Sequence, residues 1–248
     1  MKYLQGIVIF IACWMNSVNA ETIYDKSRDR AIPIEISFPG DIEKCTTKTK
    51  CPVAFLSAGY GISHLKYTFI SNQFNQLGYL VIAVGHELPN DPALSVSGNL
   101  FETRSENWSR GAQTLDFLKN AMSERFNKYN FEALTLIGHS NGGDISAWLG
   151  NEEKAYIRKI ITLDHRRVPL PRNKNIQVFS IRASDFPADR GVLLTDKEQE
   201  KFNGCIVKIL KAKHNDIADF GPLWLKKKIN FLIESQLNGQ SCSELKKA

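Results

Sequence analysis

Short runs of unbroken apolar residues, spaced by stretches of helical periodicity, constrain this chain more than any other feature. Tyr79 to Val84 reads Tyr-Leu-Val-Ile-Ala-Val, and Ala133 to Ile137 reads Ala-Leu-Thr-Leu-Ile. A strand with one wet face alternates apolar and polar residues, and these runs do not. They predict strands buried on both faces, the mark of a parallel sheet covered by helices. Val53–Ser57, Ile160–Leu163, Gln177–Ile181 and Ile206–Leu210 read the same way, and Ile32–Phe38 adds a strand closed by Pro39-Gly40. Helical spacing runs over Tyr67–Leu77, Trp108–Arg125 and about Pro222–Leu237, with a further helix after Ser140. The expected fold is α/β with a mainly parallel sheet. One domain is expected over residues 21–248. Sites in such folds lie beyond the carboxyl ends of the strands.

Composition sets few further limits. Of 248 residues, 43% are hydrophobic and 23% charged, which speaks against long disorder, collagen or coiled coil. The formal charge of +6 is scattered, with runs no longer than Lys226-Lys227-Lys228. A nucleic-acid partner is not expected, because binders concentrate their basic residues on one element.

The first twenty residues read as a signal peptide. Lys2 supplies the positive start, Leu4–Trp14 is almost wholly apolar, and Val18-Asn19-Ala20 offers small residues for a cut before Glu21. The expected location is periplasmic or secreted. The run is too short to span a bilayer comfortably, and no later stretch approaches it, so a soluble mature chain is expected. Cys13 after Ile11-Ala12 faintly resembles a lipoprotein cleavage site, the lesser alternative. Four cysteines remain: Cys45, Cys51, Cys205 and Cys242. The favoured pairing is Cys45 with Cys51 across a short polar stretch, and Cys205 with Cys242 between the last strand and the tail. No metal site is expected, since no Cys-x-x-Cys or nearby His completes a ligand set. No organic cofactor is implied either.

The sharpest local signal is Gly138-His139-Ser140-Asn141-Gly142, between a strand and a helix. That context is what a nucleophile elbow requires. The pattern lacks the residues of a Walker-type phosphate loop, so nucleotide binding there is the weaker reading. Ser140 needs a base, and on such an elbow the acid and then the histidine follow downstream. Of five histidines, only His214 follows the last strand. The acid has two candidates. Asp185 lies after the second strand past the elbow and is favoured. Asp164 ends the strand before it and is the alternative, with Asp189 a remote third. The oxyanion donors are expected to be the backbone amides of Asn141 and of Tyr60, the latter in Ala58-Gly59-Tyr60-Gly61.

With these residues in place, the chain resembles the α/β-hydrolase superfamily over nearly its whole mature length. Within it, the likeness is to the branch of platelet-activating factor acetylhydrolases and dienelactone-hydrolase-like esterases. Asp25–Arg30 before Ile32-Pro33-Ile34, Ser57–Gly61 followed by Tyr67, and Leu77–Val84 carry it. So do Gly138–Gly143, Leu163-Asp164 and His214–Phe220. The acetylhydrolases take their acid from the Leu-Asp position, the dienelactone type from the later strand, so both aspartates stay open. Dienelactone hydrolases carry a cysteine where this chain has Ser140, and many relatives have His-Gly where it has Ala58-Gly59. Lid domains of the superfamily commonly enter after the strand ending at Leu163. Here Asp164 to about Ile176 leaves no room for a helical cap, so an open site is expected. Gly85–Asn107 is expected to form one wall through Leu100 and Phe101. Arg166 and Arg167 read as solvated or structural charges before they read as an anion site.

The resemblance implies a Ser-His-Asp hydrolase of accessible carboxylic esters, on small-molecule or lipid-like substrates. A peptidase or amidase would use the same groups. A non-catalytic binding protein on this fold is the rival of another class, although a binder has no need of all three residues. Oligomeric state is not legible.

Overall fold

A computed structural model describes residues 18–248. The apolar run of the N-terminal segment and Cys13 lie outside the described residues. The chain forms β1 (Val18–Asp25), β2 (Arg30–Ser37), β3 (Cys51–Ser57), α1 (Thr68–Gln76), β4 (Leu80–Val84), α2 (Leu100–Arg125) and β5 (Tyr129–His139). It continues with α3 (Asn141–Asn151), β6 (Ile157–Leu163), β7 (Gln177–Arg182), α4 (Asp196–Lys201), β8 (Gly204–Lys208), α5 (Leu223–Leu237) and α6 (Cys242–Lys247).

The eight strands make one sheet in the order β1-β2-β4-β3-β5-β6-β7-β8. β1, β2 and β4 pair antiparallel, and every pair from β4 through β8 is parallel. The apolar runs are continuous because successive side chains enter two different cores. Val53 and Phe55 of β3, with Leu80, Ile82 and Val84 of β4, pack against Trp108, Leu115, Leu118 and Met122 of α2 and Ile145 of α3. Ala54 and Leu56, with Val81 and Ala83, face the opposite core, built with Ile70 and Phe74 of α1 and Leu225, Ile229 and Leu232 of α5.

Register places the site. Ser57 lies opposite Gly138, His139 opposite Leu163, and Leu163 opposite Ile181. The chain therefore leaves β3, β5, β6 and β7 along one line, and the next residues (Ala58, Ser140, Asp164 and Arg182) gather at that edge.

Some elements differ from expectation. β1 pairs along its full length with β2, from Val18 with Ser37 to Asp25 with Arg30. The cleavage position before Glu21 falls inside that strand. α2 starts at Leu100, where Asn99 caps it by accepting from the Phe101 amide at 3.2 Å. Leu100 and Phe101 thus belong to its first turn and not to a loop. The short helices α4 and α6 each open on a capping box, Thr195 with Glu198 and Ser241 with Glu244. Between β6 and β7 the chain carries no helix. Among the described residues no helix is long and apolar enough to cross a membrane.

Two disulfides form, Cys45–Cys51 and Cys205–Cys242. The second joins β8 to α6 across a separation of 37 residues, the first across 6. Loop-closure entropy scales with the logarithm of that length, giving about 4 kcal/mol for the long closure and about 2 kcal/mol for the short one. Replacing Cys205 and Cys242 together by serine should therefore lower unfolding stability about twice as much as the same change at Cys45 and Cys51. Urea melts of the two double variants measure this.

Candidate active site

Ser140 sits between β5 and α3 with φ 52° and ψ −119°, a backbone conformation that a side chain rarely adopts. Such a residue costs roughly 1–3 kcal/mol and persists only where its surroundings dictate it. Two glycines make the turn possible. A Cβ at position 138 would lie 2.1 Å from the Gly142 carbonyl oxygen. A Cβ at position 142 would lie 2.2 Å from the Ser57 carbonyl oxygen on β3. The turn is then tied off. The Ser140 N–H donates to the Leu163 carbonyl at 2.9 Å, and the Ser140 carbonyl accepts from Gly143 at 2.9 Å and Asp144 at 3.0 Å.

The Ser140 hydroxyl donates to His214 Nε2 at 2.9 Å, and His214 Nδ1 donates to Asp164 Oδ2 at 2.6 Å. One tautomer satisfies both bonds, with the ring proton on Nδ1. Asp164 has no exposed surface. Its second oxygen accepts from the Ala183 N–H at 3.0 Å and from the Arg182 guanidinium at 2.8 Å. Burial alone would raise its pKa, but the His214 hydrogen bond and the Arg182 charge outweigh it and hold the carboxyl below its ordinary range.

Asp185, which sequence position favoured, does not meet the imidazole. Its Oδ1 accepts from the His214 backbone N–H at 2.9 Å, so it fixes the loop that carries the ring. The reason is strand order. β6 lies beside β5, so a side chain leaving its end is next to the elbow. Asp185 follows β7, one strand further away. Asp189 pairs with Arg167. The Arg166 guanidinium lies over the Phe186 ring, 4.6 Å from its centroid, and Phe186 stands edge-on to His214.

The backbone amides of Asn141 and Tyr60 donate to no other group among the described residues. Asn141 is nonetheless rigid, because its side chain is fully engaged. Trp108 Nε1 donates to its Oδ1 at 2.8 Å, and its Nδ2 donates to Asn107 Oδ1 at 2.8 Å. Asn107 Nδ2 donates in turn to Glu87 at 2.9 Å. The Tyr60 hydroxyl accepts from the Leu94 N–H at 3.0 Å, which steadies that loop.

Several structural partners escaped the sequence reading. Tyr67 accepts from the Gly59 N–H at 2.9 Å and donates to His139 Nδ1 at 2.8 Å. His139 Nε2 donates to the His214 carbonyl at 3.1 Å. One chain of hydrogen bonds therefore joins the loop after β3, the elbow and the histidine loop. Burial, then the nearby His214, pushes the His139 imidazole down to about 3, so it stays neutral. Asp144 was also missed. Its Oδ1 accepts from the N–H groups of Arg166, Arg167 and Val168, at 3.3, 2.8 and 2.9 Å, and holds the segment after Asp164. An acid four residues past the elbow serine was visible in the sequence, but nothing marked its partners.

Burial pushes the Asp144 carboxyl up to about 6. Its folded value lies above the unfolded one of about 4. Its ionisation therefore weakens the fold as pH rises through that window, and the effect is complete above about pH 6. The span corresponds to about 3 kcal/mol. Asp144→Asn keeps the acceptor and removes the charge. Its stability should approach that of the wild type near pH 4 and exceed it increasingly up to about pH 6, measured by denaturant melts across pH.

No protein-family model and no curated protein sequence matches the chain. Solved structures do. The dienelactone hydrolase from Anabaena variabilis superposes with a TM-score of 0.60 at 13% identity, over 88% of this chain and 95% of that one. A dienelactone-hydrolase-like promiscuous phosphotriesterase, P91, from metagenomic libraries gives 0.64 at 14% identity, over 92% and 98%. Esterase 2 of Thermogutta terrifontis, phosphorylated by paraoxon, gives 0.64 at 11% identity, over 88% and 92%. The chain has the α/β-hydrolase fold, and its structural neighbours include dienelactone-hydrolase-like esterases.

Proposed function

We propose that this protein is a serine hydrolase of carboxylic esters, with Ser140 as nucleophile, His214 as base and Asp164 as the acid that orients it. The observation that carries the reading is the continuous array from Ser140 Oγ through His214 to Asp164 Oδ2, built on an elbow whose backbone is strained at the serine. The fold shared with esterases supports it.

The chemistry follows from the array. Ser140 Oγ attacks the ester carbonyl carbon while His214 Nε2 takes its proton. The carbonyl π electrons move onto oxygen, and the Asn141 and Tyr60 amides receive that oxyanion. Asp164 stabilises the imidazolium without taking its proton. The intermediate collapses to an acyl-serine, and His214 passes its proton to the departing alkoxide. Water, deprotonated by His214, then attacks the acyl-serine. The second tetrahedral intermediate breaks its bond to Ser140 Oγ, the carboxylic acid leaves, and His214 returns the proton to Oγ.

Substrate size is read from the connections. The segment between β6 and β7 forms no cap. This favours short or accessible esters over deeply buried lipid chains. The two disulfides, with the signal-like N-terminal segment, support an oxidising compartment outside the cytoplasm.

The test is hydrolysis of p-nitrophenyl acetate through octanoate. Ser140→Ala should lose at least about 10³-fold in kcat and all labelling by a fluorophosphonate probe. Asp164→Asn should lose about 10³–10⁴-fold, because the ring then takes the wrong tautomer. Asp185→Asn, which keeps an oxygen to accept from the His214 N–H and loses only the charge, should lose about tenfold or less. A wild type with neither turnover nor labelling refutes the reading. Equal losses at the two aspartates refute the assignment of the acid.

A further inference from the structure

The hydrogen bond to His214 accounts for one oxygen of Asp164, and the other is occupied by a second cation. Arg182 closes β7, and its side chain is only 6% exposed. One guanidinium collects three acceptors. Nη2 lies 2.8 Å from Asp164 Oδ1 and 3.5 Å from the Phe186 carbonyl, and Nη1 donates to the His165 carbonyl. It thus ties the end of β6 to the loop whose Phe186 ring stands 5.4 Å from the His214 ring.

Of the other groups facing this cluster, the two buried imidazoles are neutral, and Asp144, pushed up to about 6 by burial, changes charge in the working range. His139 lies 4.9 Å from the His214 ring, and His165 adjoins Asp164 with no exposed surface. Burial pushes both imidazoles down to about 3, so neither carries charge in the working range. Asp144 on α3 spends one oxygen on backbone N–H groups, Arg166 is parked on Phe186, and exposed Asp185 holds the His214 N–H.

A lone buried carboxylate beside His214 favours the imidazolium in the resting enzyme as well as during the reaction. A base that already carries a proton cannot accept one from Ser140. We propose that Arg182 is a positioning residue of this array. It shares the charge of Asp164, so that the carboxylate does not act on His214 alone, and it fixes the Phe186 wall against the ring. The proposal rests on the hydrolase reading above and goes beyond it.

The experiment is the pH profile of kcat/KM on p-nitrophenyl acetate between pH 4.5 and 8.5. Arg182→Gln should move the acid limb upward by about one pH unit, the order expected for removing one charge from a partly buried cluster. Its plateau should fall about tenfold or less. Arg182→Lys should keep the limb near that of the wild type while the plateau falls. A plateau loss in Arg182→Gln with the limb unmoved overturns the proposal and leaves the hydrolase reading standing. A wild type without turnover or fluorophosphonate labelling defeats both. Should Arg182→Gln not fold, the double variant Asp164→Asn/Arg182→Gln buries neither charge and should fold. Its residual rate should fall about tenfold or less below that of Asp164→Asn, because the charge that Arg182 balances is gone and only the Phe186 contact is lost. A loss of a hundredfold or more in the double variant overturns the proposal.

Discussion

The carboxyl edge of the sheet is organised by how near the turn at Ser140 comes to β3. The Gly142 α-carbon faces the Ser57 carbonyl at a distance that admits hydrogen and nothing larger. A larger residue there would push α3 off the end of β3, and the serine would no longer stand above the sheet. The strain at Ser140 follows from the same approach. Parallel pairing of β3, β5 and β6 brings their ends level, so the turn has only one direction in which to leave the sheet. The serine conformation is therefore set by packing between strand ends, not by any preference of serine itself.

The loops around the turn share one rigidity. Tyr67 and His139 connect the loop after β3 to the histidine loop, the Tyr67 hydroxyl both accepting and donating within that connection. A neutral His139 accepts on one nitrogen and donates on the other, so the chain of bonds has a direction. Charging it would set a second donor against the Tyr67 hydroxyl. Burial prevents this, since an imidazolium at that depth would lose its hydration and the Asp164 charge nearby does not make up the loss.

Much of this was legible from residue patterns. The continuous apolar runs marked β3 to β7, because a strand covered on both faces has no polar face to show. The glycines at 138 and 142 and the order of Ser140 and His214 marked the elbow and the histidine that meets its serine. The aspartate that meets His214 was less legible. Asp164 and Asp185 both follow strands, and spacing along the chain does not tell which strand end lies next to the elbow. That depends on sheet order and on the positive φ of 52° at Asp164, which turns its carboxylate toward the histidine loop. Arg182 was hidden for a similar reason. At the end of a strand it reads as a solvated terminus, and its burial comes from segments far along the chain. β1 was obscured because its first residues also satisfy the pattern of a cleavage site. The start of α2 was obscured because its cap at Asn99 follows a run of Ser, Gly and Pro that reads as loop.

The two neighbours of Ser140 face opposite ways. His139 reaches toward the core beneath α1 and α5 through Tyr67, and Asn141 reaches toward the core beneath α2 through Trp108. The turn therefore acts as a rivet through all three layers, headed on both sides by hydrogen bonds and not by apolar contact alone. Loosening either helical layer would pull on the same two peptide units. Local breathing of one face, which many α/β proteins tolerate beside an intact site, is here mechanically coupled to the serine.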